Sequence, residues 1–324
     1  MATRVLEPAP GLRGVTGEPW PGVRYFSTWR VGGVSLPPRD SLNLGLHVGD
    51  DPLAVRENRL RLRRALPGDP LWLEQVHGTD VFDADAAPED AAAGPAPRAD
   101  AAVTTRRGRP LAIMTADCLP VVLADEAGTV LGVAHAGWRG LAAGVLENTL
   151  AAMRRRAPAA RGWRAWIGPG IGPAAFQVGA EVREAFLDQD PGLAACFVFQ
   201  PDRGLFAAGP PQGRKRPSGG MGLDAGQSLR TGLRLVNPSG MQVARWMQAA
   251  EGCAAWGPRW LADLAGLARA RLLRAGVERV EASGECTWTR ADRYFSHRRD
   301  PGSGRQAALA CLTDPGALQG ARWT

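Results

Sequence analysis

Hydrophobic residues follow two periods along this chain. After Asp50-Asp51-Pro52, an acidic cap with a proline suited to a first turn, Leu53, Val55, Leu60, Leu62 and Leu66 recur at helical spacing, and Pro67-Gly68 ends the run. The spacing predicts a helix over about 52–66. Leu71 to Val76 is a short apolar run that predicts a strand delivering His77 into a turn at His77-Gly78. Leu111 to Met114, Leu119 to Ala124 and Thr129 to Ala134 are apolar on both faces, the pattern of central strands covered by helices. Thr115-Ala116-Asp117-Cys118 and the turn Asp125-Glu126-Ala127-Gly128 separate them, so Cys118 falls between two core strands and His135 at the end of the third. Helical spacing returns over Gly140 to Arg156, closed by Arg154 to Arg156 at the favourable end, and over about Trp260 to Ala275. Strands are expected at Val277 to Ala282, Arg293 to Ser296 and Gln306 to Leu312.

Strands and helices in this mixed order predict an α/β sandwich with a mixed central sheet, a single catalytic domain over 1–324. Segment 204–256 breaks the pattern with Gly209-Pro210-Pro211 and Gly219-Gly220, and reads as a Gly/Pro-rich surface insertion, partly disordered. Glu89 to Pro97 reads as an exposed loop. No apolar run approaches the roughly 18 residues of a membrane span, and the first 22 residues hold no signal-like apolar stretch. The expectation is a soluble cytoplasmic protein, monomeric or weakly dimeric. Five cysteines without a C-x-x-C pair fit a reducing compartment.

The net charge of +7 changes this picture little. Nearly all of the positive charge is arginine, with Lys215 the only lysine, and segment 204–256 alone has six basic residues against Asp224 and Glu251. The remainder weakly favours an anionic small-molecule substrate and gives no nucleic-acid footprint.

Chemistry concentrates at three residues. Of the four histidines, His47, His77, His135 and His297, two close apolar runs and precede glycine within two residues, and Cys118 is similarly placed. Two imidazoles and one thiolate leave a fourth metal position open, as in catalytic zinc sites. A Cys-His nucleophilic pair is the other physical reading, and spacing does not separate the two. Asp117 is open to two readings: it orients an imidazole, or it bonds its own turn. Arg293 to Asp300 brings Arg298, Arg299 and His297 together, suited to capture of phosphate or carboxylate, although a solvated charge run has equal weight. Ile167-Gly168-Pro169-Gly170-Ile171-Gly172-Pro173 lacks the lysine of a P-loop and reads as a tight turn beside the pocket.

With Ser27 to Ser35, Ser41 to Asp51, Leu73 to Gly78, Met114 to Val121, His135 to Gly140, Gly168 to Pro173 and Tyr294 to Asp300, the chain resembles the laccase-domain family. Its members are described as polyphenol oxidases, purine nucleoside phosphorylases and peptidoglycan editing factors. The resemblance implies that His77, Cys118 and His135 are catalytic and bind zinc or copper, in a fold distantly like cysteine-dependent toxin domains. It further implies phosphorolysis of purine nucleosides (adenosine, inosine, methylthioadenosine) and deamination of adenosine, or else editing of peptidoglycan precursors through Cys118. Arg30, Asn43, Arg139, Arg298 and Arg299 are the substrate-binding candidates, with Arg298 or Arg299, or alternatively Arg30 or Arg139, holding phosphate. A multicopper oxidase needs more imidazoles than four histidines supply. A third reading, of another class, is a non-catalytic basic binding protein.

Overall fold

The structure, a computed structural model, describes residues 3–86, 94–200 and 258–314. The expected insertion at 204–256 lies outside the described residues, as does most of the expected loop at Glu89 to Pro97. A five-stranded sheet runs in the order β1 (Arg4–Ala9), β2 (Leu12–Thr16), β3 (Val23–Thr28), β14 (Gln306–Leu312), β6 (Leu111–Thr115). A six-stranded sheet runs β13 (Arg279–Ala282), β9 (Arg164–Ile167), β7 (Leu119–Ala124), β8 (Leu131–Ala136), β5 (Ala101–Thr104), β4 (Val81–Asp83). It is mixed: its two outer pairs are parallel and the pairs between them antiparallel. A small third sheet orders β10 (Gln177–Val178), β12 (Arg259–Ala262), β11 (Phe197–Gln200).

The period of two along β7 builds the layers. Val121 and Leu123 enter the core beneath the helices, whereas Val122 and Ala124 enter the core between the two large sheets. Both faces are therefore buried, as the unbroken apolar runs predict. The three runs nevertheless divide between sheets: β6 pairs with β14, and β7 and β8 pair with each other in the second sheet. Residues 116–118 are thus the crossing between sheets.

The helices are α1 (Pro52–Arg63), α2 (Trp138–Ala143), α3 (Val145–Arg156), α4 (Ala180–Leu187) and α5 (Leu264–Arg274). Asp51 caps α1 by accepting from the Leu53 amide, as the sequence predicts. The helix expected over Gly140 to Arg156 is two, because Gly144 takes φ 99° between α2 and α3. The helix expected from Trp260 starts only at Leu264, where the Asp263 side chain caps it; the residues before it pair in β12.

Two expected strands do not form. Leu71 to Val76 makes only isolated bridges at Leu71 and Glu74. Arg293 to Ser296 is irregular: the amide of Tyr294 donates to the Arg290 carbonyl, and that of Phe295 to the Gln306 side chain, so neither joins a ladder.

Candidate metal centre

His135 is the penultimate residue of β8 and lies opposite Pro120 of β7. Continuing that antiparallel register by two places sets Gly137 opposite Cys118. A Cβ on Gly137 would stand 2.9 Å from the Cys118 sulfur and 3.0 Å from His77 Cδ2, so the thiol and the imidazole occupy the space of the missing side chain. His77 arrives on an exposed loop, with its backbone in the left-handed region at φ 62°. Asp117, before the cysteine, has φ 92°. Such conformations in non-glycine residues persist where surrounding bonds fix them.

Those bonds are present at both residues. Asp100, buried at the head of β5, accepts from the amides of Val76 (3.1 Å), His77 (2.9 Å) and Gly78 (2.7 Å), and its Oδ1 lies 2.8 Å from His135 Nδ1. The His135 amide also donates to the Asp100 carbonyl at 2.7 Å. One carboxylate therefore orients His135 and holds the His77 loop. Burial pushes the Asp100 carboxyl up, but the bonds from His135 and the loop amides outweigh it and hold it below the ordinary range. Asp117 does not orient an imidazole. It accepts from the Thr287 hydroxyl and the Arg298 amide, each at 2.7 Å, and ties the Cys118 turn to the C-terminal loops. The glycine-rich turn packs beneath: Ile171 donates to the Asp117 carbonyl, and a Cβ on Gly170 would stand 2.5 Å from Leu119.

The donor atoms of His77, Cys118 and His135 lie within 4.8 Å of one another, and the two rings meet edge to face with centroids 4.7 Å apart. Cys118 Sγ is 3.8 Å from His77 Nε2. Burial alone would raise the thiol, but the charge on His135 and hydrogen bonds from both histidines bring it down to about 6. Burial likewise opposes charge on His135, yet the Cys118 thiolate and Asp100 lift it to about 9. A stabilised thiolate beside two imidazoles is a donor set that suits zinc or copper, so the residues fit a metal ion.

The remaining candidates separate. Arg298 and Arg139 line a cavity of about 380 Å³ with Trp138, Phe176 and Glu181. Arg299 donates to the carbonyls of Thr287, Trp288 and Tyr294 and pairs with Asp300, while Arg30 is bound to Asp40. Asn43 is fully buried: its Oδ1 accepts from the amides of Gly45 (3.0 Å) and Arg305 (2.9 Å), and its Nδ2 donates to Asp50. Sequence reasoning missed Asp100. The signal for Asp100 was a single acid heading the apolar run Ala101 to Val103.

The model of the multi-copper polyphenol oxidoreductase laccase family matches residues 24–210 and 237–313. A purine nucleoside phosphorylase of Escherichia coli, YfiH, is 40% identical over 298 residues, covering 90% of this chain and 96% of that protein. A purine nucleoside phosphorylase of Pseudomonas aeruginosa is 39% identical, covering 91% and 97%. The crystal structure of Neisseria meningitidis NMB0706 superposes with a TM-score of 0.69 at 36% identity, covering 94% of this chain and 99% of that one.

Proposed function

Because this chain belongs to the multi-copper polyphenol oxidoreductase laccase family, we propose that it is a purine nucleoside phosphorylase that also deaminates adenosine. The observation that carries the reading is the convergence of His77, Cys118 and His135; Trp138 and Arg139, which open α2 just after His135, line a cavity of about 380 Å³. Adenosine, inosine and methylthioadenosine are the proposed substrates. Zinc or copper held by the three residues would supply Lewis-acid activation of a substrate oxygen or of water.

The chain's own groups do the rest. Trp138 and Phe176 line the cavity proposed for the purine, with the Arg139 guanidinium over the Trp138 ring at 4.6 Å and that of Arg298 over the Phe176 ring at 5.5 Å. In phosphorolysis a phosphate oxygen bonds to ribose C1′ as the C1′–N9 bond breaks; its electron pair leaves with the base, which takes up a proton. In deamination a water oxygen adds at C6 and ammonia leaves. His135, its Nδ1 fixed on Asp100, would offer its other ring nitrogen as a ligand, and Asp100 sets that orientation.

The Cys118, His135, Asp100 relay favours a second reading, in which Cys118 is the nucleophile of a hydrolase that edits cell-wall precursors. Purified protein incubated with adenosine plus phosphate, and separately with a serine-containing muropeptide precursor, distinguishes the two. Release of adenine and ribose 1-phosphate that disappears in a folded Cys118→Ala variant is the expected result. Turnover of the muropeptide alone would establish the second reading.

A further inference from the structure

Two arginines beside the centre lack the counter-charge that their environment calls for. Arg305 is half-buried, and its Nη1 donates only to the carbonyls of Ser303 (2.9 Å) and Gly304 (3.1 Å). Arg59, also half-buried, donates from Nε to the Leu44 carbonyl and stacks 4.0 Å above the Trp72 ring. Among the described residues neither has a carboxylate within ion-pair distance, in contrast to Arg30, Arg271, Arg293 and Arg299. A guanidinium withdrawn from water without an anion is costly, and an incoming anion recovers that cost.

His47 completes the set. A Cβ on Gly45 would lie 2.9 Å from Arg305 Cγ and 3.4 Å from His47 Cε1, so both side chains pack over the same backbone. The buried Asn43 amide locks this arrangement by binding Gly45 and Arg305 together. Asn58 of α1 holds the loop from below through the Asn43 carbonyl and the Ser35 hydroxyl. The group adjoins the centre: β14 opens with Gln306 opposite Thr115, so Arg305, one place earlier, falls at the level of Ala116, two residues before Cys118.

We propose that Arg305 and His47, backed by the charge of Arg59, form the phosphate subsite of the reaction, opposite a nucleoside seated against Trp138 and Phe176. This rests on the phosphorolysis reading. Arginine's planar fork grips two phosphate oxygens, and an imidazole N–H adds a third donor. Arg298 suits the role less well, since it donates to the Gln177 carbonyl at 2.9 Å and shares its cavity with Glu181, a fixed negative charge. Asn43 is then a positioning residue, with no contact to substrate.

The test compares wild type with Arg305→Gln, Arg305→Lys, His47→Gln and Arg298→Gln. Binding of inorganic phosphate is titrated directly by calorimetry, and KM values for phosphate and nucleoside are measured. Arg305→Gln should weaken phosphate roughly ten- to a hundredfold, the loss of a hydrogen bond to a charged group, with the nucleoside KM little changed. Arg305→Lys should fall between, and Arg298→Gln should move the nucleoside KM instead. Wild-type phosphate affinity in Arg305→Gln and His47→Gln, or its loss in Arg298→Gln alone, would overturn the assignment. If Arg305→Gln does not fold, His47→Gln decides by the same measure. A wild-type protein that turns over no nucleoside removes the phosphorolysis reading, while the titration still decides whether these residues bind phosphate.

Discussion

At Cys118 two opposing influences meet, burial that favours the thiol and a cationic imidazole that favours the thiolate, and the second prevails. The thiol's depressed pKa contributes stability that is complete above its unfolded value near 9 and is lost as pH falls through about 6. The raised pKa of His135 contributes stability that is complete below 6.5 and is lost as pH rises through about 9. The charged pair therefore belongs to the window between about 6 and 9. In chelator-treated protein, alkylation of Cys118 by iodoacetamide should titrate with a midpoint near pH 6, and His135→Gln should move it back toward 9. A wild-type midpoint near 9 would show that the thiolate is not stabilised. The two imidazoles and the thiol were legible in the sequence because each closes or precedes an apolar run. Asp100 was not, since its imidazole partner lies 35 residues away and nothing local marks the pairing.

Among the elements, two glycines flanking α2 carry different constraints. Gly144 has φ 99° but room at its Cβ, where the nearest atom is 3.7 Å away, whereas Gly137 has φ −68° and no room. Gly144→Ala should cost about 1–2 kcal/mol of stability from the left-handed backbone and leave metal affinity unchanged. Gly137→Ala should leave the backbone at ease but push apart Cys118 and His77, lowering zinc affinity measured by chelator competition. Equal zinc affinity in the two variants would contradict the packing described here. Periodicity foretold α1, β7 and β8 because each carries its own cap or its own apolar run. It missed the break at Gly144, where a lone glycine inside a helical pattern gives no sign of its φ, and it took Arg293 to Ser296 for a strand because side-chain partners such as Gln306 are invisible locally.

Across the whole molecule, the fold class was legible from the mixed order of strands and helices, while the division of β6 from β7 and β8 between two sheets was not. That division depends on β14, which pairs with β6 on one side and β3 on the other and is buried along its full length. The protein emerges from the ribosome with β3 and β6 already made and the slot between them empty. All three metal-binding candidates precede residue 136, so a nascent chain carries them in a half-built sheet with two unpaired edges, a state exposed to mispairing. Contacts such as that of Asn43 with Arg305, 262 residues apart, close last. A chain stopped after residue 304 should therefore fail to hold zinc and should be digested by protease at concentrations the longer chain survives. Survival of that shortened chain would mean that the slot can remain open. Loss of zinc from the shortened chain would mean that synthesis sets an order of events: the centre can hold an ion durably only after β14 has left the ribosome and entered between two strands made long before it.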